Sequence, residues 1–374
     1  MANGVVRVGV DVTPLLGRRT GVGQFVSSLV EGFADSSAVE LYRYSVTARG
    51  WQSPEANTSQ RWPMPARPLR ELWRRTNAAP IEWWTGAVDV VHGTNFVVPP
   101  SKRAVQLVSV HDMTTVRFPE LCTADTLQYP ALLERAIARG AHVHTDSAFV
   151  AAEVVEHFRI DPLKVHTIHL GLPVNALRVD RDSTPPSRSP EVPPYALAIG
   201  TIEPRKDYPS LLRAFALLAS SDLHLRLLIV GQMGWGEQAF SEALAQVPEA
   251  VRARIECRGF VDEQQRIRLL RGASLLVYPS VYEGFGLPPL EAMAAGIPVV
   301  ATTAGSLPEI LGDAALLVAP GDHRALAEAM LSVRVDTRFS EDLVRNGYHR
   351  AALFTLEAMI EDFSRLYREL GQIS

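Results

Sequence analysis

The stretch Tyr278-Pro-Ser-Val-Tyr-Glu283-Gly-Phe-Gly-Leu-Pro-Pro-Leu-Glu291 sets two carboxylates around a glycine-spaced loop and a double proline. An apolar run ends near Tyr278, Pro288 and Pro289 open a helix, and Gly296 and Pro298 close it. Proline just inside a helix start and glycine past its end is the usual asymmetry. A loop feeding a helix N-terminus presents free N–H groups at the positive end of the helix dipole, a setting that favours a diphosphate. Glu283 in the loop is placed to accept hydrogen bonds from sugar hydroxyls, and Glu291, about one turn into the helix, to hold a ribose. In isolation the pair would read as a turn filler and a surface residue; the strand, loop, proline and helix around them point to a site. Upstream, Gly200-Thr-Ile-Glu-Pro-Arg205-Lys206 also follows an apolar run. Gly200 permits a close turn, and two adjacent cations suit the charge that develops on a departing diphosphate. The plain alternative is a solvated basic loop. This cationic pair and the helix end together can take the place of a divalent metal.

Other segments carry weaker signals. Thr20-Gly21-Val22-Gly23 precedes a periodic helix and resembles a phosphate loop, but Val26 stands where a dinucleotide fingerprint has its third glycine. Gly21, Val22 and Gly23 are read as a second wall of the diphosphate site, or simply as a helix start. Val108-Ser-Val-His111-Asp112 ends a buried strand with an imidazole and a carboxylate, so His111 can donate to the sugar or to developing charge. His92-Gly-Thr-Asn95 offers acceptor contacts. Arg258-Gly259-Phe260 follows a third strand and could read a base, with Phe260 equally at home in a core. His142, His144, His166 and His169 lack carboxylate or cysteine partners for a metal and are read as structural. The one Asp-x-Asp, Asp180 and Asp182, lies in an interrupting segment and receives no role. Between Arg67 and Arg75 a basic segment carries Leu69, Leu72 and Trp73 on one side. It suits an anionic membrane or a lipid-linked acceptor, or else a packed surface helix.

These residues need elements to hold them. Short apolar runs at 5–10, 88–91, 105–110 and 142–145, then at 195–199, 225–230, 254–257, 275–278, 299–301 and 315–318, read as buried strands. Val22, Phe25, Val26, Leu29, Val30 and Phe33 make one helical face. Helices at 210–219, 237–245 and 350–370 fill gaps, and 50–68 reads as a long surface loop. Strands alternating with helices indicate an α/β chain with two parallel, helix-covered sheets, ligands binding at the carboxyl strand ends across a cleft. A Pro-, Ser-, Asp- and Arg-rich segment at 179–194 marks the boundary. The expected domains are 1–185, 186–350 and a closing helix at 351–374. The 374 residues fit this division. A net charge of −4 gives no global footprint for nucleic acid, and two distant cysteines form no zinc or disulfide framework. No leader or membrane-length apolar run is visible, so the expected compartment is the cytoplasm or the inner face of its membrane.

Taken together, Thr20-Gly-Val-Gly, Val90-Val-His-Gly, Val110-His-Asp, Gly200-Thr-Ile-Glu-Pro-Arg-Lys, Gly231-Gln-Met-Gly-Trp-Gly and Glu283-Gly-Phe-Gly-Leu-Pro-Pro-Leu-Glu291 resemble retaining glycosyltransferases of the GT-B fold. The resemblance is to family 4, which includes bacterial mannosyltransferases. It implies two Rossmann-like domains, 1–185 binding the acceptor and 186–350 the sugar nucleotide, and a closing helix that crosses back to the first. It further implies that Glu283 and the backbone of Phe285, Gly286 and Leu287 hold the donor sugar. Glu291 would hold the ribose, Arg205 and Lys206 the diphosphate, and His111 the reacting sugar. Transfer would be metal-independent, without a cofactor, and with retained anomeric configuration. Asp207-Tyr208 departs from relatives that carry Asn after the cationic pair. The His111-Asp112 and Phe118-Pro-Glu120 style resembles users of GDP-mannose, with a glycan or lipid-linked acceptor. A UDP-sugar donor, a sugar-nucleotide epimerase or dehydrogenase, and a non-enzymatic nucleotide-binding subunit are the competing readings.

Overall fold

The computed structural model describes residues 4–17, 21–48, 51–54, 57–172 and 193–373. The chain forms two compact units, Met1–Gly171 with Thr355–Ser374, and Leu172–Phe354. Most of the interrupting segment at 179–194, with Asp180 and Asp182, lies outside the described residues.

In the first unit β1 (Val6–Asp11), β2 (Val39–Tyr44), β3 (Val90–Gly93), β4 (Val105–Val110), β5 (His142–Thr145) and β6 (Val165–Thr167) form one sheet. Its order is β2-β1-β3-β4-β5-β6, with every pair parallel. In the second unit β7 (Tyr195–Ile199), β8 (Arg226–Val230), β9 (Ile255–Cys257), β10 (Leu275–Tyr278), β11 (Val299–Thr302) and β12 (Leu316–Val318) form the other. Its order, β12-β11-β10-β7-β8-β9, is again all parallel. Parallel strands covered on both faces read as unbroken apolar runs; Val8, Val10, Leu107, Val108, Leu227 and Ile229 are all fully buried. The strand order of each sheet reverses once, between β1 and β3 and between β7 and β10, and loops diverge at such switch points to leave room for ligands.

Two strands escape sequence patterning. β2 alternates Val39-Glu-Leu-Tyr-Arg-Tyr44 at a sheet edge, and β6 has only three residues. The tail is not one helix from 350 to 370. A helix at Thr337–Ala351 ends, and a new one at Leu356–Gly371 starts where the Thr355 side chain caps the Ala358 N–H at 3.1 Å. The break falls where the chain passes from the second unit to the first. There the last helix lies against Gly171, where a Cβ would sit 2.6 Å from the Leu356 Cα.

The last helix is also tied into the first sheet by a buried polar chain. Strand register sets Ser109 beside His144, with His92 on the neighbouring strand. Tyr367 lies 2.7 Å from His92 Nδ1, His92 Nε2 2.8 Å from Ser109, Ser109 2.9 Å from His144 Nδ1, and His144 Nε2 3.1 Å from the Ile168 carbonyl. A carbonyl only accepts, so His144 Nε2 donates; with both rings kept neutral by burial, every proton upstream points the same way, from Tyr367 to Ile168. Burial depresses His92 well below the usual imidazole value and His144 to about 4. Among the described residues no helix is long and apolar enough to cross a membrane. Tyr367→Phe would leave buried His92 Nδ1 without its donor. A loss of about 1–3 kcal/mol is expected, read as a lower urea midpoint at unchanged slope.

Candidate functional site

In the second unit, the loops leaving β7 and β10 bring Arg205, Lys206 and Glu283 together at the switch point. Arg205 Nη1 donates to Glu283 Oε2 at 2.7 Å and to the Tyr282 carbonyl at 3.0 Å, while Nη2 donates to Glu203 at 2.8 Å. Lys206 Nζ donates to Glu283 Oε1 and to the Tyr278 hydroxyl, both at 2.6 Å. Each Glu283 oxygen thus has its own cation. Burial pushes the Glu283 carboxyl up, but the charges of Arg205 and Lys206 overcome it and hold it at about 2. Burial also draws the Lys206 ammonium down, against the attraction of Glu283. Two carboxylates face two cations, so the cluster is internally balanced and ionised.

A second segment clamps the loop. Ser306 donates from its N–H to the Glu283 carbonyl at 2.9 Å, and from its hydroxyl to the Glu283 and Phe285 carbonyls at 3.1 Å each. A Cβ on Gly305 would lie 2.2 Å from the Glu283 backbone carbonyl oxygen, and its φ of +58° suits glycine. Glu203, Tyr278 and Ser306 were missed by sequence reasoning. Glu203 and Tyr278 stand inside the motifs already singled out, whereas Ser306 lies outside them.

Beyond the loop, Gly286 at φ +108° caps a helix at Leu287–Ala294. Phe285 is buried against Phe354, with ring centroids 5.8 Å apart. Glu291 is buried, and burial raises its carboxyl although Arg266 forms an ion pair with it. Arg266 comes from the Glu263–Gly272 helix and carried no sequence signal. Gly200 receives the Tyr208 hydroxyl on its carbonyl at 2.8 Å. Gly259 adopts φ +62°, its carbonyl accepts from the Gly231 N–H at 2.9 Å, and Phe260 is 57% exposed, so Phe260 is not core.

In the first unit, Gly21, Val22 and Gly23 form the first turn of a helix at Gly21–Gly32, whose buried face includes Phe25, Val26, Leu29 and Val30. His111 leaves β4 almost fully buried, its two ring nitrogens 2.8 Å from Asp146 and 2.8 Å from the Thr94 carbonyl. Asp112 turns instead to the Thr114 N–H at 2.9 Å. His92 is fully buried in the polar chain, which corrects its reading as a ligand contact. His142 and His166 hydrogen-bond to each other at 2.9 Å. For Arg67 to Arg75 the packing fits the surface-helix alternative. In the Ala66–Arg75 helix Leu69 and Trp73 are buried inside the unit, Trp73 donating to the Ala79 carbonyl at 3.2 Å. Arg74 and Arg75 pair with Glu71, and Arg70 with Asp125. The apolar side is spent on packing.

Residues 180–350 match the model of the glycosyl transferases group 1 family. The O-antigen chain mannosyltransferase B of Escherichia coli is 31% identical over 274 residues, which is 72% of this chain and 71% of that protein. The D-inositol 3-phosphate glycosyltransferase of a Nocardioides species is 30% identical over 327 residues, 80% of this chain and 70% of that one. Among solved structures, the sucrose-phosphate synthase of Thermosynechococcus elongatus superposes with a TM-score of 0.73 at 22% identity, covering 99% of this chain and 100% of the other. WaaG, a glycosyltransferase of lipopolysaccharide biosynthesis, superposes with a TM-score of 0.67 at 17% identity over 96% and 99% of the two chains. With two six-stranded parallel sheets of GT-B type and relatives matched along most of its length, the chain belongs to the group 1 glycosyltransferases.

Proposed function

We propose that the enzyme transfers a hexose, with mannose from GDP-mannose as the favoured donor, to a glycan or lipid-linked acceptor with retained configuration. The observation that carries this reading is the convergence of Arg205, Lys206 and Glu283 at the switch point of the second sheet. The name of the E. coli mannosyltransferase supports mannose. The Anabaena HepE structure, which contains UDP-glucose, supports the competing UDP-sugar reading through fold alone. In the reaction proposed, an acceptor hydroxyl attacks the anomeric carbon on the face the diphosphate leaves. The carbon–oxygen bond to phosphate breaks, and the hydroxyl proton passes to the departing phosphate oxygen, releasing nucleoside diphosphate and glycoside.

Arg205 and Lys206 are matched by Glu203 and Glu283 before any donor arrives. Donor binding redistributes these contacts: the cations turn to phosphate, where charge develops in the transition state, and Glu283 turns to sugar hydroxyls. Glu291 receives ribose hydroxyls, and the backbone of Phe285, Gly286 and Leu287 flanks the sugar. Gly200, Gly259 and Phe260 complete the nucleotide contacts of the second unit. His111, Gly21, Val22 and Gly23 stay in the proposed donor set on the strength of the family resemblance. No metal takes part in the proposed step.

Glu283→Ala separates sugar recognition from phosphate recognition. It should lower kcat about 100-fold or more, while nucleoside diphosphate binds as tightly as before or tighter, because two cations are released. Full transfer by this variant would overturn the role. The same substitution should destabilise the second unit by about 3–5 kcal/mol, since it strands buried positive charge, measurable by urea unfolding. For the donor, thermal shifts with GDP, UDP and ADP and their sugar conjugates, with and without chelator, decide the base. Stabilisation by GDP and GDP-mannose, unchanged by chelator, is expected; stabilisation by UDP species alone replaces the mannose assignment.

A further inference from the structure

His111 and Asp146 meet because of strand register. Val110 of β4 pairs with Thr145 of β5, so the residues that follow fall side by side. His111 Nδ1 lies 2.8 Å from Asp146 Oδ2, and Nε2 lies 2.8 Å from the Thr94 carbonyl oxygen. A backbone carbonyl accepts and never donates, so Nε2 must carry a proton. The partner of Nδ1 is a carboxylate, so a second proton lies in that bond. Phe25 and Phe96 set their rings edgewise to the imidazole, at 5.3 and 6.3 Å, and fix its plane.

Asp146 depends on the same bond. It is 2% exposed, and its other oxygen, Oδ1, is buried without a hydrogen-bond partner among the described residues. His144 Nε2 stands 3.8 Å from that oxygen, but its proton goes to the Ile168 carbonyl. A buried carboxylate so poorly solvated by its surroundings needs a compensating charge, and the facing imidazole supplies it. We propose that Asp146 is a positioning residue that holds His111 as an imidazolium donating from both ring nitrogens, so that His111 enters the transfer reaction as a fixed positive charge and not as a proton-accepting base. This rests on His111 belonging to the donor site.

The surrounding charges agree. Burial lowers His111, but the charge and hydrogen bond of Asp146, the Thr94 carbonyl and the charge of Asp112 outweigh it and leave its value raised. The remaining titratable neighbours, His92 and His144, are held neutral chiefly by their own burial and add no opposing charge. A ring whose two nitrogens both carry protons has no lone pair to receive one. A retaining transfer in which the leaving phosphate takes the acceptor proton requires no such base, and a nearby cation favours the departing anion.

The test is nitrogen-15 and proton correlation spectroscopy on the whole protein labelled at histidine, with His111→Gln identifying the resonance. Wild type should show His111 with both ring nitrogens protonated at neutral pH and losing one proton only above pH 6.5, its ordinary value. Asp146→Asn should bring that titration down by about one unit or more. Asp112→Asn should move it less. In donor turnover, the alkaline limb of the pH profile of kcat should move by the same amount in Asp146→Asn. A singly protonated His111 in wild type at neutral pH, or an unchanged titration in Asp146→Asn, overturns the proposal. If the imidazolium is present but no donor is turned over by wild type, the transferase reading fails and the charge assignment stands.

Discussion

The ionised cluster of Glu283 with Arg205 and Lys206 is the constraint on which the second unit is organised. Removing these charges from water costs several kcal/mol per ion, and only close pairing with saturated hydrogen bonding offsets it. The geometry meets that demand: both Glu283 oxygens are taken by cations, Arg205 is held in addition by Glu203 and the Tyr282 carbonyl, and Lys206 by the Tyr278 hydroxyl. These contacts tie the loop after β7 to the loop after β10. The loop carrying Glu283 then has one path into the helix that bears Glu291, and Ser306 fixes it from the other side. A set of groups held in this way is charged and aligned by its own contacts, which is the condition for electrostatic stabilisation of a transition state at little reorganisation cost.

The first unit solves a related problem with different chemistry. The strand order of its sheet also reverses at a switch point, and Thr94, just beyond β3, donates to the carbonyl of Asp11 at the end of β1 at 2.7 Å. Here the buried polar groups are mostly neutral. Tyr367, His92, Ser109, His144 and Ile168 form a one-way hydrogen-bond chain that anchors the terminal helix over the sheet. Full satisfaction makes such a network tolerable inside a core, whereas a single missing partner would leave an expensive gap. His111 with Asp146, at the strand ends, is a buried pair of a different kind. The contrast is physical: imidazoles buried among aromatic rings and hydroxyls lose their protons, while the imidazole set against a carboxylate keeps its own.

How much of this could be read from the residues varies with the kind of interaction. The loop from Glu283 to Glu291 was legible because it combines strand end, glycine spacing, double proline and helix, all local signals. The pair Arg205 and Lys206 was legible as a cationic end to a strand, but not as the partner of a glutamate 77 residues away from Lys206. Arg266 against Glu291, Ser306 against the Glu283 loop and Asp146 against His111 were not legible at all. Each is a lone polar residue in an ordinary helix or loop whose meaning comes from the strand or helix packed beside it. The basic segment from Arg67 to Arg75 left two readings open for the opposite reason: an amphipathic pattern is the same whether its apolar side meets a membrane or the interior, and only packing separates them.

The sequence by itself determined the α/β class, the parallel sheets and the identity of most charged groups at the strand ends. Those follow from hydrophobic period, strand length and turn chemistry, which act over a few residues. Tertiary structure alone decided the sheet orders, the break before the last helix, the neutrality of His92 and His144, and which carboxylate faces which cation. These are set by strand register and burial, which bring together residues remote in the chain and change the cost of charge by removing water from around it.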